Sequence, residues 1–270
     1  MATAPPASAE YASSCFFPTD WHSVPLVGVK PYNHDSKVFT FGLPEGRSLD
    51  LPVCACILLQ GKDKNGEDAV RPYTPISGNT VGHFDLLVKV YEQGVVSQYL
   101  NNLAVGSLVP FKHIKFNIKA QYPFGKKSIT MISGGTGITP MYQALELLCM
   151  TPGDETKITL LYGNKSPEDI LMKDELDALA AKSGGRLKVV HVVGTQQDQP
   201  PIPGWDGELG WVDAAKVEKY GYPPSDDTLV MVCGVPSLYE VFCGPRTEPE
   251  LKEGSVLHKL GYTTSMVAKF

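Results

Sequence analysis

The sequence lacks several features that mark particular classes of protein. Its longest apolar runs, such as Thr228–Cys233, are far shorter than the roughly 20 residues that a membrane-spanning helix needs. No basic, apolar and small-residue signal peptide precedes Glu10. Lys and Arg total 24 against 29 Asp and Glu, and this net charge of −5 argues against a general nucleic-acid-binding protein. We therefore expect no nucleic-acid partner. We expect a cytoplasmic protein, or one held at the cytoplasmic face of a membrane if a natural anchor lies outside this sequence.

The cysteines show no pattern of a disulfide framework or an iron–sulfur cluster. Most of the six lie in apolar runs, which is typical of reduced, buried thiols. Cys54 and Cys56 are too close on one strand for an ordinary disulfide, and no Cys-x4-Cys-x2-Cys spacing occurs. The six histidines are scattered. The sequence therefore predicts no metal site.

The 270 residues, 43% of them hydrophobic, suffice for one large domain or two ordinary ones. Residues 1–20 are rich in Ala, Pro and Ser and predict a loose arm. Residues 21–122 alternate short strands with turn signals such as Asn65-Gly66, which predicts an antiparallel barrel or sandwich. Residues 123–270 alternate strands and helices, which predicts a parallel doubly wound sheet. The strands predicted in the first part are 24–30, 36–43, 53–60, 69–73, 83–91 and 107–112.

The first stretch with chemical potential is Arg71-Pro72-Tyr73-Thr74-Pro75-Ile76-Ser77. Its prolines exclude a central position in a sheet, so we expect an edge strand. A guanidinium can pair with a phosphate, and a tyrosine ring offers a flat surface to an aromatic ligand. A proline-kinked edge strand with an ordinary surface arginine remains the alternative.

A second stretch, Gly94-Val95-Val96-Ser97, precedes a predicted short helix over 96–103. Free N–H groups and the helix dipole at such an end can hold an anion. Ser97 as an ordinary helix cap is the alternative.

The third stretch, Gly134–Pro140, follows an apolar strand and precedes a helix. Pro140 stands where the G-x-G-x-x-G fingerprint has its third glycine, and a lone match of this kind is weak. A strand, a glycine turn and a helix are nevertheless what dinucleotide phosphates require.

These motifs, in this order and with Cys233-Gly234 after a late strand, resemble the ferredoxin-reductase-like flavoprotein superfamily. Within this superfamily, the chain is similar to the NADH–cytochrome b5 reductases. The similarity rests on the segments RPYTPIS, VKVY, SQYL and GGTGITPM and on Phe270. The resemblance runs from about Pro25 onward. It implies a six-stranded antiparallel FAD-binding barrel followed by a parallel doubly wound nicotinamide-nucleotide domain. It also implies bound FAD, hydride transfer from NADH to the flavin N5, and single-electron transfer to the haem of cytochrome b5.

The resemblance also assigns residues. FAD-binding residues would be Arg71, Pro72, Tyr73, Thr74, Leu87, Val88, Lys89, Gly94, Val95, Val96, Ser97 and Thr139. NADH-binding residues would be Lys89, Gly134, Gly135, Thr136, Gly137, Pro140, Tyr162, Asn164, Cys233 and Gly234. Thr136 and Cys233 would line the place where the two rings stack. From its apolar surroundings alone, Cys233 would be a buried core thiol.

Charge patterning suggests a docking surface. Residues 93–145 contain no acid, although the chain is net negative. We expect an acidic partner, by resemblance cytochrome b5, to dock on lysines there, and an ordinary solvated surface is the alternative. The docking lysines would be Lys112, Lys115, Lys126 and Lys127 of a monomer.

Nucleotide preference and two rival functions remain open. Relatives specific for NADH carry an acid after the third strand of the second domain, where this chain has Gly194, then Thr195, with Asp198 further on. We still expect NADH over NADPH, because no Arg or Lys stands near Gly194 in the sequence. The rival functions are the flavin-reductase portion of a nitrate-reductase-type enzyme and a non-catalytic flavin- or nucleotide-binding module.

Overall fold

The computed structural model describes residues 15–114, 120–194, 202 and 204–270. Contacts between Cα atoms divide the chain into a first unit, Met1–Gln121, and a second unit, Tyr122–Phe270. No helix within the described ranges is long and apolar enough to cross a membrane.

The first unit is one antiparallel sheet with a short helix, α1 (Val95–Asn101). Its strands are β1 (His22–Pro31), β2 (Ser36–Gly42), β3 (Ile57–Lys62), β4 (Asp68–Tyr73), β5 (His83–Lys89) and β6 (Leu108–Lys112). Their order is β4-β3-β6-β1-β2-β5, so β4 and β5 are the two edges. The predicted six-stranded antiparallel fold is confirmed, as a curled half-barrel.

An aromatic cluster fills the core of the first unit. The rings of Phe41, Phe84 and Phe111 lie within 4.8 to 5.3 Å of one another, centroid to centroid. Phe17, 1% exposed, stacks on Phe111 at 5.3 Å. Phe17 thus belongs to this core, although the sequence placed it in the loose arm over residues 1–20.

The hairpin between β3 and β4 follows its turn signal. Gly66 has φ +82°, a conformation that glycine adopts without a steric penalty. β3 begins at Ile57 and not at residue 53 as predicted. Cys54 is left-handed, with φ +62°, and the Ala55 N–H donates to the Pro52 carbonyl at 3.0 Å, so a turn occupies the predicted start of the strand.

The second unit is one parallel sheet. Its strands are β7 (Ser128–Gly134), β8 (Lys157–Asn164), β9 (Leu187–Val193), β10 (Glu208–Leu209), β11 (Thr228–Cys233) and β12 (Val267–Lys269), in the order β10-β9-β8-β7-β11-β12. Its helices are α2 (Ile138–Met150), α3 (Lys173–Lys182), α4 (Ala214–Tyr220), α5 (Pro236–Phe242) and α6 (Val256–Lys259). Buried residues of α4, α5 and α6 pack on one face of the sheet, and α2 packs against α3 on the other. The predicted doubly wound parallel fold is confirmed.

The sequence Ser166-Pro167-Glu168-Asp169 predicts a helix start, with a capping serine, a proline at the first position and an acid three residues after the cap, and this prediction is wrong. Ser166-Pro167 begins only a 3₁₀ turn over Pro167–Asp169, and the Ser166 hydroxyl donates to the Asp169 carboxylate at 3.1 Å. The helix α3 begins later, at Lys173, after Met172 in the left-handed conformation. The short elements β10, β12 and α6 were not predicted.

Candidate functional site

The segment after β4 links the two edges of the first sheet. The Ile76 N–H donates to the Asp85 carbonyl of β5 at 2.9 Å, and the Asp85 N–H donates to the Ser77 hydroxyl at 2.9 Å. β4 is an edge strand, as its prolines predicted. Residues 71–77 therefore run between the two edges of the sheet, and Arg71 and Pro72 are the exposed members of the stretch.

Arg71 and Tyr73 share one face of the sheet with α1. They pair with Leu59 and Ile57 of β3, and directly opposed residues point to the same side. The ring of Tyr99, on α1, lies over Gly61 of the same strand, where an added Cβ would be 2.8 Å from it. The guanidinium of Arg71 and the phenol of Tyr73 thus lie on the face of the sheet that carries α1.

Tyr73 is half-buried against the core and its ring is fixed there. Burial raises the pKa of Tyr73 to about 12, and the charge of Arg71 opposes that rise. Tyr73 therefore stays protonated at neutral pH, when its hydroxyl can donate a hydrogen bond. Arg71 is exposed, and its Nη1 donates to the Val70 carbonyl at 2.7 Å. Pro72 is exposed and Thr74 half-buried.

The start of α1 requires glycine at Gly94. A Cβ there would lie 2.3 Å from the Ser97 hydroxyl and 3.0 Å from the Tyr91 Cβ. Ser97 is not the ordinary cap that the sequence left open: its hydroxyl accepts from the Tyr91 N–H at 3.2 Å and donates to the Gly94 carbonyl at 3.3 Å. The first N–H groups of the helix have no acceptor within it. Val96 is buried and Val95 exposed, so main-chain donors are what this turn can offer an anion.

At β5, a ligand could contact the main chain but not the side chains of Leu87 and Val88, which are only 3% and 2% exposed. β5 is an edge strand whose hydrogen-bonded neighbour in the described sheet is β2. Lys89 is paired with Asp35 at 2.6 Å. The Lys89 ammonium is therefore already paired within the protein. It is neither a lysine surrounded only by solvent nor an unpaired cation available to a ligand.

In the second unit, the glycine turn meets the end of β11. Gly135 has φ +52°, and Gly137 begins α2 as its N-cap. A Cβ on Gly137 would lie 2.3 Å from the Cys233 carbonyl oxygen and 2.9 Å from the Gly234 Cα. A Cβ on Gly234 would lie 3.4 Å from the Gly134 nitrogen. Gly134, Gly137 and Gly234 thus let two strand ends touch through their backbones.

This contact places Thr136 and Cys233 at the carboxyl edge of the sheet, where both are half-buried. The Thr139 hydroxyl donates to the Thr136 carbonyl at 3.2 Å, and Pro140 is buried in the first turn of α2. Thr139 therefore uses its hydroxyl within the turn. Cys233 is half-buried, whereas a cysteine of the core would be fully buried.

Tyr239 was missed from the sequence. Its hydroxyl donates to the Phe270 carbonyl oxygen and accepts from the Gly234 N–H at 3.4 Å. The Cys233 thiol lies 3.8 Å from the same Phe270 oxygen. Burial raises the pKa of Tyr239, so its hydroxyl remains a donor and holds the Cys233-Gly234 turn in place. A tyrosine three residues into a helix carries no local signal of this role.

Tyr162 and Asn164 lie at the end of β8. Tyr162 is fully buried, and its hydroxyl donates to the Gly135 carbonyl at 2.9 Å, so it supports the glycine turn from below. Asn164 is 6% exposed, and neither polar atom of its side chain has a hydrogen-bond partner among the described residues. The buried Ser133 hydroxyl also lacks a partner there.

The backbone of Lys165 lies beside Gly194. A Cβ on Gly194 would lie 3.4 Å from the carbonyl oxygen of Lys165, which follows the neighbouring strand β8 and is exposed. This contact involves the main chain of Lys165 and not its ammonium group, so the expected preference for NADH stays a prediction. Thr195 and Asp198 lie outside the described residues.

The predicted docking lysines are partly paired. Lys127 pairs with Asp227 at 2.7 Å, and Lys126 Nζ donates to the Asp226 carbonyl at 2.6 Å. In the first unit, Lys112 Nζ lies 4.6 Å from the Trp21 ring centroid. The acid-free stretch is thus not free of acids in space, because residues 226 and 227 fold against it. Lys115 lies outside the described residues.

A curled antiparallel sheet with an exposed cation beside a half-buried phenol, followed by a parallel sheet with a glycine turn, defines a two-domain flavin- and nicotinamide-dependent oxidoreductase. Residues 23–118 match the oxidoreductase FAD-binding domain family, and residues 131–244 match the oxidoreductase NAD-binding domain family. The chain belongs to the NADH-cytochrome b5 reductase family.

Its relatives cover most of its length. It is 36% identical to NADH-cytochrome b5 reductase 2 of Saccharomyces cerevisiae, over 93% of this chain and 83% of that protein. It is 38% identical to an NADH-cytochrome b5 reductase-like protein of Arabidopsis thaliana, over 94% and 77%. Among solved structures, the cytochrome b5 reductase domain of Ulva prolifera nitrate reductase is 31% identical, with a TM-score of 0.78 over 94% of this chain and 98% of that one.

The comparisons confirm the predicted family, the predicted enzyme class and the predicted cofactors, FAD and NADH. The glycine contact around Gly137 and the exposed edge at Arg71 fit these cofactors, because both leave main-chain donors or a cation accessible.

Proposed function

We propose that this protein oxidises NADH through FAD and passes the electrons one at a time to cytochrome b5. The observation that carries the proposal is the backbone contact between Gly137 and Cys233-Gly234, which forms a tight glycine turn at the carboxyl edge of a parallel sheet. The names of the S. cerevisiae and A. thaliana relatives support the donor and the acceptor. FAD, when bound, supplies the chemistry that turns a two-electron donor into two single-electron transfers.

The first unit would hold FAD mainly through its backbone. Arg71 would pair with the flavin phosphates, and Tyr73 and Thr74 would fix the ring, with Pro72 holding the strand in place. Main-chain donors at 94–97 would take the pyrophosphate.

The remaining flavin contacts are of three kinds. The main chain at 87–89 would lie along the ring, because the side chains of Leu87 and Val88 are both buried, Val88 in the core of the first unit. Lys89, tied to Asp35, would act through its position rather than as a free charge. Thr139 would stabilise the turn that it already bonds.

The second unit would hold NADH at its glycine turn. Main-chain groups of 134–137 would face the pyrophosphate, with buried Pro140 shaping the first turn of α2. Thr136 and Cys233 would line the nicotinamide, with the thiol filling space beside the ring rather than acting as a nucleophile. Tyr162 would act through the Gly135 carbonyl that it bonds. We propose NADH over NADPH, and comparable kcat/KM with NADPH would contradict this.

The deciding experiment mixes the FAD-loaded protein with NADH anaerobically in a stopped-flow instrument. We expect rapid bleaching of the flavin and stoichiometric reduction of cytochrome b5 on the second mix. A non-catalytic flavin-binding module would bind both ligands without bleaching.

The flavin assignment has its own test in Arg71→Ala. Loss of a charge-assisted phosphate contact should weaken FAD binding about tenfold to a hundredfold. An unchanged dissociation constant, or FMN as the extracted cofactor, would show that the assignment is wrong.

We also propose that the acidic acceptor docks on Lys112, Lys126 and Lys127, with Asp227 lowering the contribution of Lys127. Exposed charges are screened over about 10 Å at 0.1 M salt, so turnover with cytochrome b5 should fall as ionic strength rises. Lys126→Glu with Lys127→Glu should raise KM for cytochrome b5 and leave ferricyanide reduction unchanged.

The pairing with Asp227 allows a test of opposite sign. Asp227→Asn releases Lys127 and should lower KM for cytochrome b5 severalfold. Lys252→Glu, at an exposed lysine paired with Glu240, is the matched control and should leave KM unchanged. Equal changes with ferricyanide would place the effect at the flavin or nucleotide site. We also propose that the protein is a monomer when it binds cytochrome b5. Sedimentation of the complex with cytochrome b5 would test this.

A second candidate is the reductase portion of a nitrate-reductase-type enzyme. The match to the Ulva prolifera domain, over 98% of that chain, favours it. Steady-state kcat/KM with cytochrome b5 and with the haem domain of a nitrate reductase, measured side by side, separates the two.

A further inference from the structure

The Asn164 side chain is buried without a hydrogen bond. It is 6% exposed, and among the described residues neither Oδ1 nor Nδ2 has a partner. A carboxamide offers two donor hydrogens and an acceptor oxygen, and leaving these unmade inside a protein costs free energy. Beyond the described residues, a group of this kind can be satisfied by a ligand or an ordered water.

Its place in the sheet indicates a ligand. Asn164 ends β8, which lies next to β7, the strand that leads into the glycine turn. Gly134 pairs with Gly163, so Asn164 stands one residue beyond that pair, level with the glycine turn, and its carbonyl accepts from the Gly194 N–H at 2.9 Å. In doubly wound sheets the pyrophosphate sits at the first glycine turn, and an acidic residue further along the chain bonds the ribose 2′-hydroxyl. The resemblance places that acid after β9, where this chain has Gly194, and Asn164 is the polar residue at the end of the strand beside it.

Gly194 cannot do this work, because it has no side chain. A Cβ there would lie 3.4 Å from the Lys165 carbonyl oxygen and 3.7 Å from Trp211, which are ordinary van der Waals distances, so the surroundings do not by themselves require glycine. We propose that the Asn164 carboxamide binds the 2′-hydroxyl of the adenosine ribose and thereby sets the preference for NADH. The inference rests on the proposed function, since it names how that donor is recognised.

The chemistry of the amide gives the preference its direction. The Asn164 Oδ1 accepts from a hydroxyl, and its NH₂ group donates to the hydroxyl oxygen. A 2′-phosphate presents only acceptors at neutral pH, so Oδ1 would face a negative oxygen. Asn164 thus discriminates without the carboxylate that the resemblance led us to expect after β9.

The test uses the oxidised, FAD-loaded protein and Asn164→Leu, which keeps the shape and removes the polar atoms. Calorimetric titration should show NAD⁺ affinity falling about tenfold and NADP⁺ affinity unchanged. The melting temperature without nucleotide should stay level or rise, because an unsatisfied buried amide has been removed. Asn164→Asp keeps an acceptor and should retain NAD⁺ while weakening NADP⁺ further.

Thr159→Val is the matched control. Thr159 is buried in the same strand, five residues earlier and so about 16 Å away, and this variant should leave both nucleotide affinities unchanged.

Three outcomes would overturn the inference. A lower melting temperature with unchanged NAD⁺ affinity in Asn164→Leu would assign the amide to an internal water. Equal weakening of NAD⁺ and NADP⁺ would place it on a part that both nucleotides share. If the parent protein bound neither nucleotide, the proposed function would fail first, and the inference with it.

Discussion

The substitution Gly137→Ala adds one Cβ atom, which has two opposed effects on stability: it restricts the unfolded chain and it crowds the backbone of Cys233. Gly137 has φ −62° and ψ −6°, which an alanine adopts freely. With open space, the change would stabilise the protein by about 0.4–1 kcal/mol by restricting the unfolded chain. The new Cβ would, however, lie 2.3 Å from the Cys233 carbonyl oxygen and 2.6 Å from its carbonyl carbon. Both are backbone atoms of a central strand, so neither can rotate away.

The two strand ends must then separate by roughly 1 Å to reach van der Waals distance. Overpacking of this kind costs about 1–3 kcal/mol, which lowers the melting temperature of a unit of this size by about 3–10 °C. The same displacement moves Cys233 relative to the turn. A misplacement of about 1 Å can slow a positioned reaction by ~10²-fold.

Circular dichroism melts and anaerobic stopped-flow reduction by NADH measure the two effects on the same samples. Gly28→Ala is the control, because its Cβ would meet Thr40 at an ordinary 3.6 Å and both quantities should be preserved. A Gly137→Ala protein that melts at or above the parent temperature and is reduced at the parent rate would refute the close-approach reasoning.

Three further substitutions test other contacts. Cys233→Ala should retain FAD and the parent melting temperature, yet slow anaerobic flavin reduction by NADH about tenfold or more. An unchanged rate would show that the thiol has only a packing role. Tyr162→Phe removes the hydrogen bond to Gly135 and should lower the free energy of unfolding by about 1 kcal/mol and weaken NAD⁺ binding a fewfold, measured by melting and calorimetry. Lys269→Met removes an ammonium that donates to three loop carbonyls at 2.8 to 3.2 Å, and should cost about 2–4 kcal/mol in urea unfolding. Lys252→Met is the control at an exposed ion pair and should lower the free energy of unfolding by less than about 1 kcal/mol. Equal losses in the two variants would argue against a special contribution from the buried Lys269 ammonium.

The parts of the fold that the sequence predicted depend on short-range chemistry. Pro72 placed β4 at an edge because proline lacks a ladder donor, and Gly66 marked a hairpin because it accepts positive φ. Local rules failed where neighbouring residues compete for the same partner. Ser166 looked like a helix cap, but its hydroxyl bonds to Asp169 within a 3₁₀ turn.

The features that escaped prediction join residues far apart in the chain. Asp227 reaches Lys127 across 100 positions, and Tyr239 meets Phe270 across 31. No window of sequence contains both partners, so charge patterning overestimated the cationic surface and passed over Tyr239. The burial of Asn164 likewise depends on the strands on either side of it, so the resemblance could name the residue as NADH-binding but no local pattern showed that its amide is buried.

The parallel sheet of the second unit ends on both sides in a very short strand, with two residues in β10 and three in β12. Between them lie β9 and β11, long apolar strands whose outer rows of N–H and C=O groups would otherwise be open to another chain. Short terminal strands offer an incoming chain too few groups to pair with, so they resist aggregation. The three residues of β12 therefore protect the apolar run of β11, and their loss would expose it as a template for intermolecular pairing.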